Sequence, residues 1–233
     1  MKKLAKRFVD ATLVSLVAYI SLKICNITQS TVVRETRRRA IADSTDYADS
    51  HMPQALCFSN LKELWRHAFA ARATGGLIVE FGVWRGQSIS FFASLTKETI
   101  YGFDSFEGLR EDWKGWENTK GTFSLGGVLP QVPANVTLIK GWFNDTLPSF
   151  LHQHPESFSF VHIDCDTYEA AASVFDTAGS CFRKGTVIVF DEYFGYRGWR
   201  IGEFKAWQEF IAKRGLSYKY LGFGNEAVSL VVT

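Results

Sequence analysis

The sequence lacks most features that mark small disulfide-rich, zinc-binding or nucleic-acid-binding proteins. Its four cysteines are scattered and include no Cys-x-x-Cys pair, so neither a zinc site nor a disulfide framework is indicated. The formal net charge is only +2, which gives no argument for nucleic acid as a partner. The sequence also has no internal repeats and no low-complexity segments. We therefore expect a cytoplasmic protein in a reducing compartment.

What the sequence does contain is enough apolar residues for one sizeable α/β domain. The chain has 233 residues, of which 46% are hydrophobic and 21% are charged. This length is too short for two ordinary domains and leaves room for an appendage. We expect an N-terminal helical extension or lid over residues 1–60 and the main domain over residues 61–233.

The N-terminal segment permits more than one interpretation. Basic residues precede a mostly apolar stretch at residues 8–24. Asp10 and Lys23 confine the uncharged part to well under the roughly 20 residues that a membrane span needs. Apolar residues also recur at helical spacing, which favours an amphipathic helix packed on the domain or on a neighbouring subunit. An interfacial membrane helix and a true span or signal sequence are the alternatives.

The next segment is polar and basic. Four arginines lie close together within residues 33–42, and such a run is usually a solvated helix face, with phosphate binding as the alternative. Residues 44–57 are predicted to form a loop or lid. Apolar positions within residues 61–69 then follow helical spacing, and Ser59 or Asn60 could cap that helix.

The central motif is residues 77–88, in which a short apolar run, two glycines and a helical pattern follow one another. The apolar run predicts a buried parallel strand, and Ser88 lies at the start of the helix. Gly82 and Gly86 permit a tight turn between the two elements and a close approach of a ligand to the backbone. The spacing is Glu-x-Gly-x-x-x-Gly and not the Gly-x-Gly-x-x-Gly of dinucleotide sites.

Glu80 indicates which cofactor suits this loop. Its carboxylate would repel a pyrophosphate, whereas it would attract the ammonium and sulfonium groups of S-adenosylmethionine. The motif therefore favours S-adenosylmethionine over NAD. A plain turn between two packed elements is the alternative that the spacing alone leaves open.

Further strands alternate with helical patterns along the chain. Strands are predicted at residues 99–104, 136–140, 158–163, 186–190, 218–223 and 227–232. We expect an α/β fold with a doubly wound, mostly parallel seven-stranded sheet that ends in an antiparallel hairpin. The long connection at residues 107–135 is rich in glycine and aromatic residues, which could cover a substrate or simply pack.

Asp104 ends the second predicted strand. An acidic residue about 20 positions beyond the glycine loop usually holds the ribose hydroxyls of a bound nucleoside. A helix N-cap at the strand end is the alternative interpretation of this aspartate.

Two pairs of acidic residues follow the last two predicted parallel strands. Asp164 and Asp166 come after the fourth strand, and Asp191 and Glu192 come after the fifth. If these strands are neighbours, the four carboxylates crowd into one pocket, where oxygen ligands select a hard cation such as Mg²⁺. A free carboxylate beside the cation could take the proton of a substrate hydroxyl. Helix caps or solvated loops are the alternative.

Four motifs in this order resemble those of class I S-adenosylmethionine-dependent methyltransferases. They are residues 79–86, 102–109, 162–168 and 189–193. The nearest branch is the macrocin O-methyltransferase-like group, which methylates sugar hydroxyls on natural products with Mg²⁺. The resemblance covers residues 61–233, and the first 60 residues match nothing that we can place.

The resemblance implies a role for individual residues. Cofactor contacts, with the glycine-loop residues included, are expected at Glu80, Gly82, Gly86, Ser88, Asp104, Ser105, Trp142 and Asp164. The expected metal ligands are Asp164, Asp191 and Glu192, and the expected catalytic residues are Asp166, as the base, and Asp164. The branch commonly has two aspartates where this chain has Asp191 and Glu192, and the longer glutamate still supplies oxygen ligands.

We therefore expect a metal-dependent O-methyltransferase that uses S-adenosylmethionine and Mg²⁺ to methylate a hydroxyl of a sugar or glycosylated metabolite. A small phenolic or catechol acceptor is the second choice. A noncatalytic S-adenosylmethionine-binding protein and a nicotinamide-dependent oxidoreductase are the remaining alternatives. The expected partners are a small-molecule acceptor and further copies of the chain in a homo-oligomer, with no nucleic acid. Membrane contact through residues 8–24 is possible but not favoured.

Overall fold

A computed structural model of the protein describes residues 31–233. The apolar segment at residues 8–24, and with it the expected N-terminal amphipathic helix, lies outside these described residues. The chain divides into two compact units, Met1–Arg39 and Ala40–Thr233. Within residues 31–233, no helix is both long and apolar enough to cross a membrane.

The α-helices and strands alternate through most of the second unit. The α-helices are α1 (Thr31–His51), α2 (Leu61–Ala70), α3 (Gln87–Ser94), α4 (Phe143–Gln153), α5 (Tyr168–Ala178) and α6 (Glu203–Arg214). The strands are β1 (Leu56–Cys57), β2 (Leu77–Phe81), β3 (Ile100–Asp104), β4 (Val136–Lys140), β5 (Phe158–Ile163), β6 (Val187–Phe190), β7 (Tyr218–Gly224) and β8 (Ala227–Val232). Short 3₁₀-helices cover Gly179–Cys181 and Trp199–Ile201.

These strands form one sheet in the order β1-β7-β8-β6-β5-β2-β3-β4. Strand β8 runs antiparallel to both β6 and β7, and the other neighbouring pairs are parallel. The mostly parallel sheet and its C-terminal hairpin are thus confirmed. Within residues 31–233 the sheet has eight strands and not seven, because the two-residue strand β1 adds to its edge beside β7.

Helices cover both faces of the sheet, as the doubly wound class requires. In β6, Ile188 and Phe190 pack in a cluster with residues of α4, α5 and α6, whereas Val187 and Val189 pack in a second cluster with α2 and α3. Successive side chains of a strand point to opposite faces, so a continuous apolar run serves both clusters at once. This burial explains why the parallel strands were predictable from apolar runs alone.

The prediction of a loop at residues 44–57 is wrong, because α1 continues to His51 and β1 follows at Leu56. The C-terminal part of α1 is stabilised by tertiary contacts, since Tyr47 and Ala48 are buried in the core. Downstream, the predicted cap of α2 is confirmed: the Asn60 side chain accepts a hydrogen bond from the Lys62 backbone N–H at 2.9 Å. The division between an extension and a domain at residue 60 stays a prediction.

Candidate active site

A cavity of about 530 Å³ lies at the carboxyl ends of the parallel strands, where ligands of open α/β sheets usually bind. Its walls come from the ends of β2, β3, β5 and β6 and from the long connection after β3. The residues expected from the sequence that line it are Gly82, Ser88, Asp104, Ser105, Trp142, Asp164, Asp166, Asp191 and Glu192. Glu80 and Gly86 do not line this cavity. The fold therefore brings most of the expected residues together.

Gly82 is required by the packing of the backbone itself. Its φ angle is +91°, and a Cβ atom at this position would lie 1.6 Å from the carbonyl oxygen of Asp164. The end of β2 thus passes directly against the residue that follows β5, and no side chain fits between them. Gly86, the N-cap residue of α3, is also left-handed, with φ +76°. The sequence explained both glycines by a turn and a ligand, whereas the structure adds close contact between strand ends at Gly82.

Asp104 holds the two loops beside it. Its Oδ2 atom accepts hydrogen bonds from the backbone N–H groups of Val83, at 2.8 Å, and Trp84, at 2.7 Å. Its Oδ1 atom accepts one from Phe106 at 2.7 Å. Trp84 and Phe106 have φ angles of 45° and 59°, a conformation that is unfavourable for bulky residues. The carboxylate therefore stabilises strained backbone in the loops after β2 and after β3.

The helix-cap alternative for Asp104 is excluded, because no helix lies between β3 and β4, a segment that the structure describes throughout. Oδ2 of Asp104 already accepts two hydrogen bonds and Oδ1 accepts one, so Oδ1 retains acceptor capacity. Asp104 lines the cavity. Ser105 is buried beside it and also lines the cavity, and its Oγ accepts a hydrogen bond from the Glu107 N–H at 3.1 Å. The ribose assignment stays a prediction.

Glu80 is buried and has partners within the protein. Ser88 Oγ donates to its Oε1 atom at 3.1 Å, and Nδ1 of His162 lies 2.9 Å from its Oε2 atom. The other ring nitrogen of His162, Nε2, lies 3.8 Å from Oδ1 of Asp191. Although burial lowers the pKa of His162, the flanking carboxylates of Asp191 and Glu80 raise it well above its ordinary value. A row of titratable groups thus crosses from β2 through β5 to the end of β6, buried at Glu80 and His162 and partly exposed at Asp191.

The expected acidic group forms at the ends of β5 and β6, which are neighbours as predicted. One carboxylate oxygen each from Asp164, Asp166 and Glu192 lies within 4.8 Å of the others. This group contains Asp166 in place of Asp191, which instead lies beside His162. Burial, together with the charge of Asp191, raises the pKa of Asp164 and Glu192 well above their ordinary values.

These residues fit a hard divalent cation. All three side chains supply oxygen, the ligand atom that Mg²⁺ prefers, and Oε2 of Glu192 is buried without a hydrogen-bond partner among the described residues. Crowded carboxylates without a compensating positive charge are costly. A bound cation would remove that cost.

Glu203 contacts the backbone beside the acidic group without lining the cavity, and the sequence analysis missed it. It is fully buried at the start of α6, and its Oε1 atom accepts hydrogen bonds from the backbone N–H groups of Cys165 and Asp166, each at 3.2 Å. A signal for its burial was present in the sequence, because Glu203 lies on the same helical stripe as the inward-facing Trp207 and Phe210.

The connection at residues 107–135 covers the cavity and is anchored at several points. Glu111 Oε1 accepts a hydrogen bond from Thr167 Oγ1 at 2.6 Å, close to the acidic group. Trp113 is buried and lines the cavity, which places an aromatic ring in its wall. The Arg110 guanidinium lies 4.8 Å from the ring centre of Trp142. Trp113 and Phe123 of this connection line the cavity, and the buried Trp113 also packs. That these aromatic residues cover a substrate stays a prediction.

Comparisons with known proteins agree with this geometry. Residues 79–193 match a family model described as a methyltransferase domain. No curated protein matches the chain.

Solved structures share the fold. CalS11, a calicheamicin methyltransferase, matches with a TM-score of 0.58 and 23% identity over 72% of this chain and 76% of that chain. The O-methyltransferase NovP matches with a TM-score of 0.53 and 19% identity over 74% of this chain and 80% of that chain. An apo structure of CalS11, described as a TDP-rhamnose 3'-O-methyltransferase, matches with a TM-score of 0.50 and 22% identity over 72% and 75% of the two chains.

Proposed function

We propose that this chain, whose residues 79–193 form a methyltransferase domain, transfers a methyl group from S-adenosylmethionine to a hydroxyl of a sugar or glycosylated metabolite. The observation that carries the proposal is that one cavity is lined both by the glycine loop after β2, with Asp104 beside it, and by the group of converging carboxylates. The first half suits a nucleoside cofactor, and the second suits a hydroxyl acceptor. The names of the similar structures, a calicheamicin methyltransferase and an O-methyltransferase, support this choice.

The cofactor would occupy the half of the cavity formed by the ends of β2 and β3. Gly82 leaves the backbone accessible there, and Oδ1 of Asp104 can accept one hydrogen bond from a ribose hydroxyl in addition to the three backbone donors of the carboxylate. Trp142 offers the face of an aromatic ring, which Arg110 flanks. Glu80 would act on the cofactor through Ser88 and the loop that it holds, because its own carboxylate is buried behind them.

The acceptor would occupy the acidic half. Asp164 and Glu192 belong both to the ligand set expected from the sequence and to the converging group, and we assign them to the cation. A divalent cation, when bound, would lower the pKa of an acceptor hydroxyl. Asp166 lies within the same group, and we assign it to accept the hydroxyl proton. The buried ring of Trp113 and the connection around it would exclude water from the reacting atoms.

Asp191 is the third cation ligand that the sequence favours. Its Oδ1 atom lies near His162, an arrangement that commonly orients a metal-binding carboxylate from behind. The competing assignment gives Asp166 to the cation and leaves Asp191 as the partner of His162. The variant pair described in the Discussion separates the two assignments.

Activity screening tests the proposal. The protein would be incubated with S-adenosylmethionine and Mg²⁺ against panels of glycosides and catechols, and mass spectrometry would detect the gain of a methyl group. We expect methylation of a glycoside hydroxyl. A product found only among catechols would move the assignment to a phenolic acceptor. Failure of S-adenosylmethionine to bind in calorimetry, with binding of NAD in its place, would refute the proposed reaction.

A further inference from the structure

The turn that follows β5 has an unfavourable backbone conformation. Asp166 has a φ angle of 67°, in the left-handed region. The Thr167 N–H donates to the Cys165 carbonyl oxygen at 2.7 Å, which closes a three-residue turn around Asp166. Conformations of this kind persist only where the surroundings over-determine them, and they concentrate at functional sites. Something must therefore hold this turn in place.

Glu203 is the side chain that holds it. One carboxylate oxygen accepts both buried N–H groups of the turn, those of Cys165 and Asp166, each at 3.2 Å. Without an acceptor these donors would be buried and unsatisfied, because both residues are buried. Glu203 itself is fixed as the first residue of α6, a helix packed in the core through Trp207 and Phe210. The turn is thus tied to a helix that packs in the core.

This contact bears on the chemistry because two members of the acidic group lie at or directly before the turn. Asp164 immediately precedes it and Asp166 is its central residue, and both converge with Glu192. We infer that Glu203 is a positioning residue, which acts through these two backbone N–H groups to aim the carboxylates of Asp164 and Asp166 into the cavity. The role of these two carboxylates rests on the proposed function. The contact of Glu203 with the two N–H groups can be tested independently of that function.

The two hydrogen bonds depend on the length of the Glu203 side chain and not on its charge. Both hydrogen bonds go to a single oxygen, which a glutamine carbonyl can supply at the same position. Glu203→Gln keeps the reach and removes the charge, whereas Glu203→Asp keeps the charge on a side chain one methylene shorter. Glu209→Gln is the matched control, because Glu209 lies on the same helix, is exposed and pairs with Lys205.

The experiment compares these variants with the parent full-length protein in four measurements. These are hydrogen exchange at the Cys165 and Asp166 amides, Mn²⁺ binding by calorimetry, kcat and KM with the acceptor, and the dissociation constant of S-adenosylmethionine. For Glu203→Asp we expect faster amide exchange, weaker Mn²⁺ binding and a kcat lower by about 10- to 100-fold, since small misplacements of reacting groups have effects of this size. S-adenosylmethionine should bind as in the parent. Glu203→Gln and Glu209→Gln should match the parent throughout.

Several results would overturn the inference. Loss of kcat in Glu203→Gln would show that the charge matters, and faster exchange in Glu203→Asp with unchanged kcat and Mn²⁺ binding would show a purely structural role. If Glu203→Asp does not fold, Glu203→Gln decides alone: parent-like exchange and Mn²⁺ binding support the inference, and a change in either with intact S-adenosylmethionine binding overturns it. Should the parent methylate no acceptor, the exchange and Mn²⁺ measurements still test Glu203 independently of the proposed function.

Discussion

The two halves of the cavity satisfy their polar groups in different ways. In the cofactor half, at the ends of β2 and β3, Asp104 accepts three backbone hydrogen bonds and the adjoining loops are fixed by them. In the acidic half, at the ends of β5 and β6, the carboxylates of Asp164, Asp166 and Glu192 converge, and a buried oxygen of Glu192 lacks a hydrogen-bond partner among the described residues. In the first half the backbone donors around Asp104 are already paired, whereas in the second half the proposed cation would offset the crowded negative charge.

The largest effect should come from a change that disturbs both halves at once. Gly82→Ala would place a Cβ atom against the Asp164 carbonyl oxygen in a left-handed conformation, so β2 and the turn after β5 would have to separate. We expect a loss of unfolding free energy above about 4 kcal/mol, a value that marks disruption of a buried contact. Chemical denaturation would measure it.

Gly121→Ala is the control for this change. Gly121 is also left-handed, with φ +84°, but a Cβ atom there would meet nothing within 4 Å. Only the conformational strain remains in this variant, so the unfolding free energy should fall by about 1–2 kcal/mol. Equal losses in the two variants would show that the approach of the strand ends is not the reason for glycine at position 82.

Removal of divalent cations should affect the acidic half alone. We expect EDTA to abolish turnover and added Mg²⁺ to restore it, while calorimetry shows S-adenosylmethionine binding to be largely unchanged, because its expected contacts lie mainly at β2 and β3. Full activity after exhaustive dialysis against EDTA would eliminate the cation from the mechanism.

The variant pair Asp166→Asn and Asp191→Asn separates the roles within the acidic half. Asp166→Asn should lower kcat by about 10²- to 10⁴-fold, the usual contribution of a general base. Asp191→Asn should mainly raise the Mg²⁺ concentration needed for half-maximal turnover. Titration of turnover with Mg²⁺ measures both quantities, with the exposed Asp176→Asn as a control. The opposite pattern would assign Asp166 to the cation, as the converging group suggests.

Asp104→Ala should affect the cofactor half. It leaves three backbone N–H groups without their acceptor and removes the expected ribose partner, so S-adenosylmethionine binding should weaken by about 1–3 kcal/mol. Mn²⁺ binding at the acidic half should be retained. An unchanged dissociation constant for S-adenosylmethionine would contradict the ribose assignment.

The smallest effect is expected away from both halves. Asp43 in α1 accepts hydrogen bonds from the Trp199 indole at 2.9 Å and from the Arg200 guanidinium at 2.7 Å. Both charged side chains are about half exposed, so Asp43→Ala should cost no more than about 1 kcal/mol of unfolding free energy and leave both ligand affinities unchanged. The exposed Asp49→Ala in the same helix is the control. A large loss of turnover would mean that this contact supports the acidic half.

The predictable parts of the fold are those with a local signal. Strands β4 and β5 begin and end where their apolar runs do, and the neighbouring position of β5 and β6 is confirmed. Strand β1 was missed because two residues carry no periodicity. The C-terminal part of α1 was missed because it is stabilised by burial of Tyr47 and by hydrogen bonds to Trp199 and Arg200, residues more than a hundred positions away.

The site shows the same division between local and distant effects. The sequence by itself determined the α/β class, the glycine turn after β2 and the presence of acidic residues at strand ends, because apolar periodicity and turn chemistry act over a few residues. Only the tertiary structure decided which side chains meet. Glu80 faces His162 because β2 pairs with β5 in that register. Likewise, Glu203 reaches the turn at Asp166 because α6 packs where the strand order places it, and such contacts depend on the whole fold.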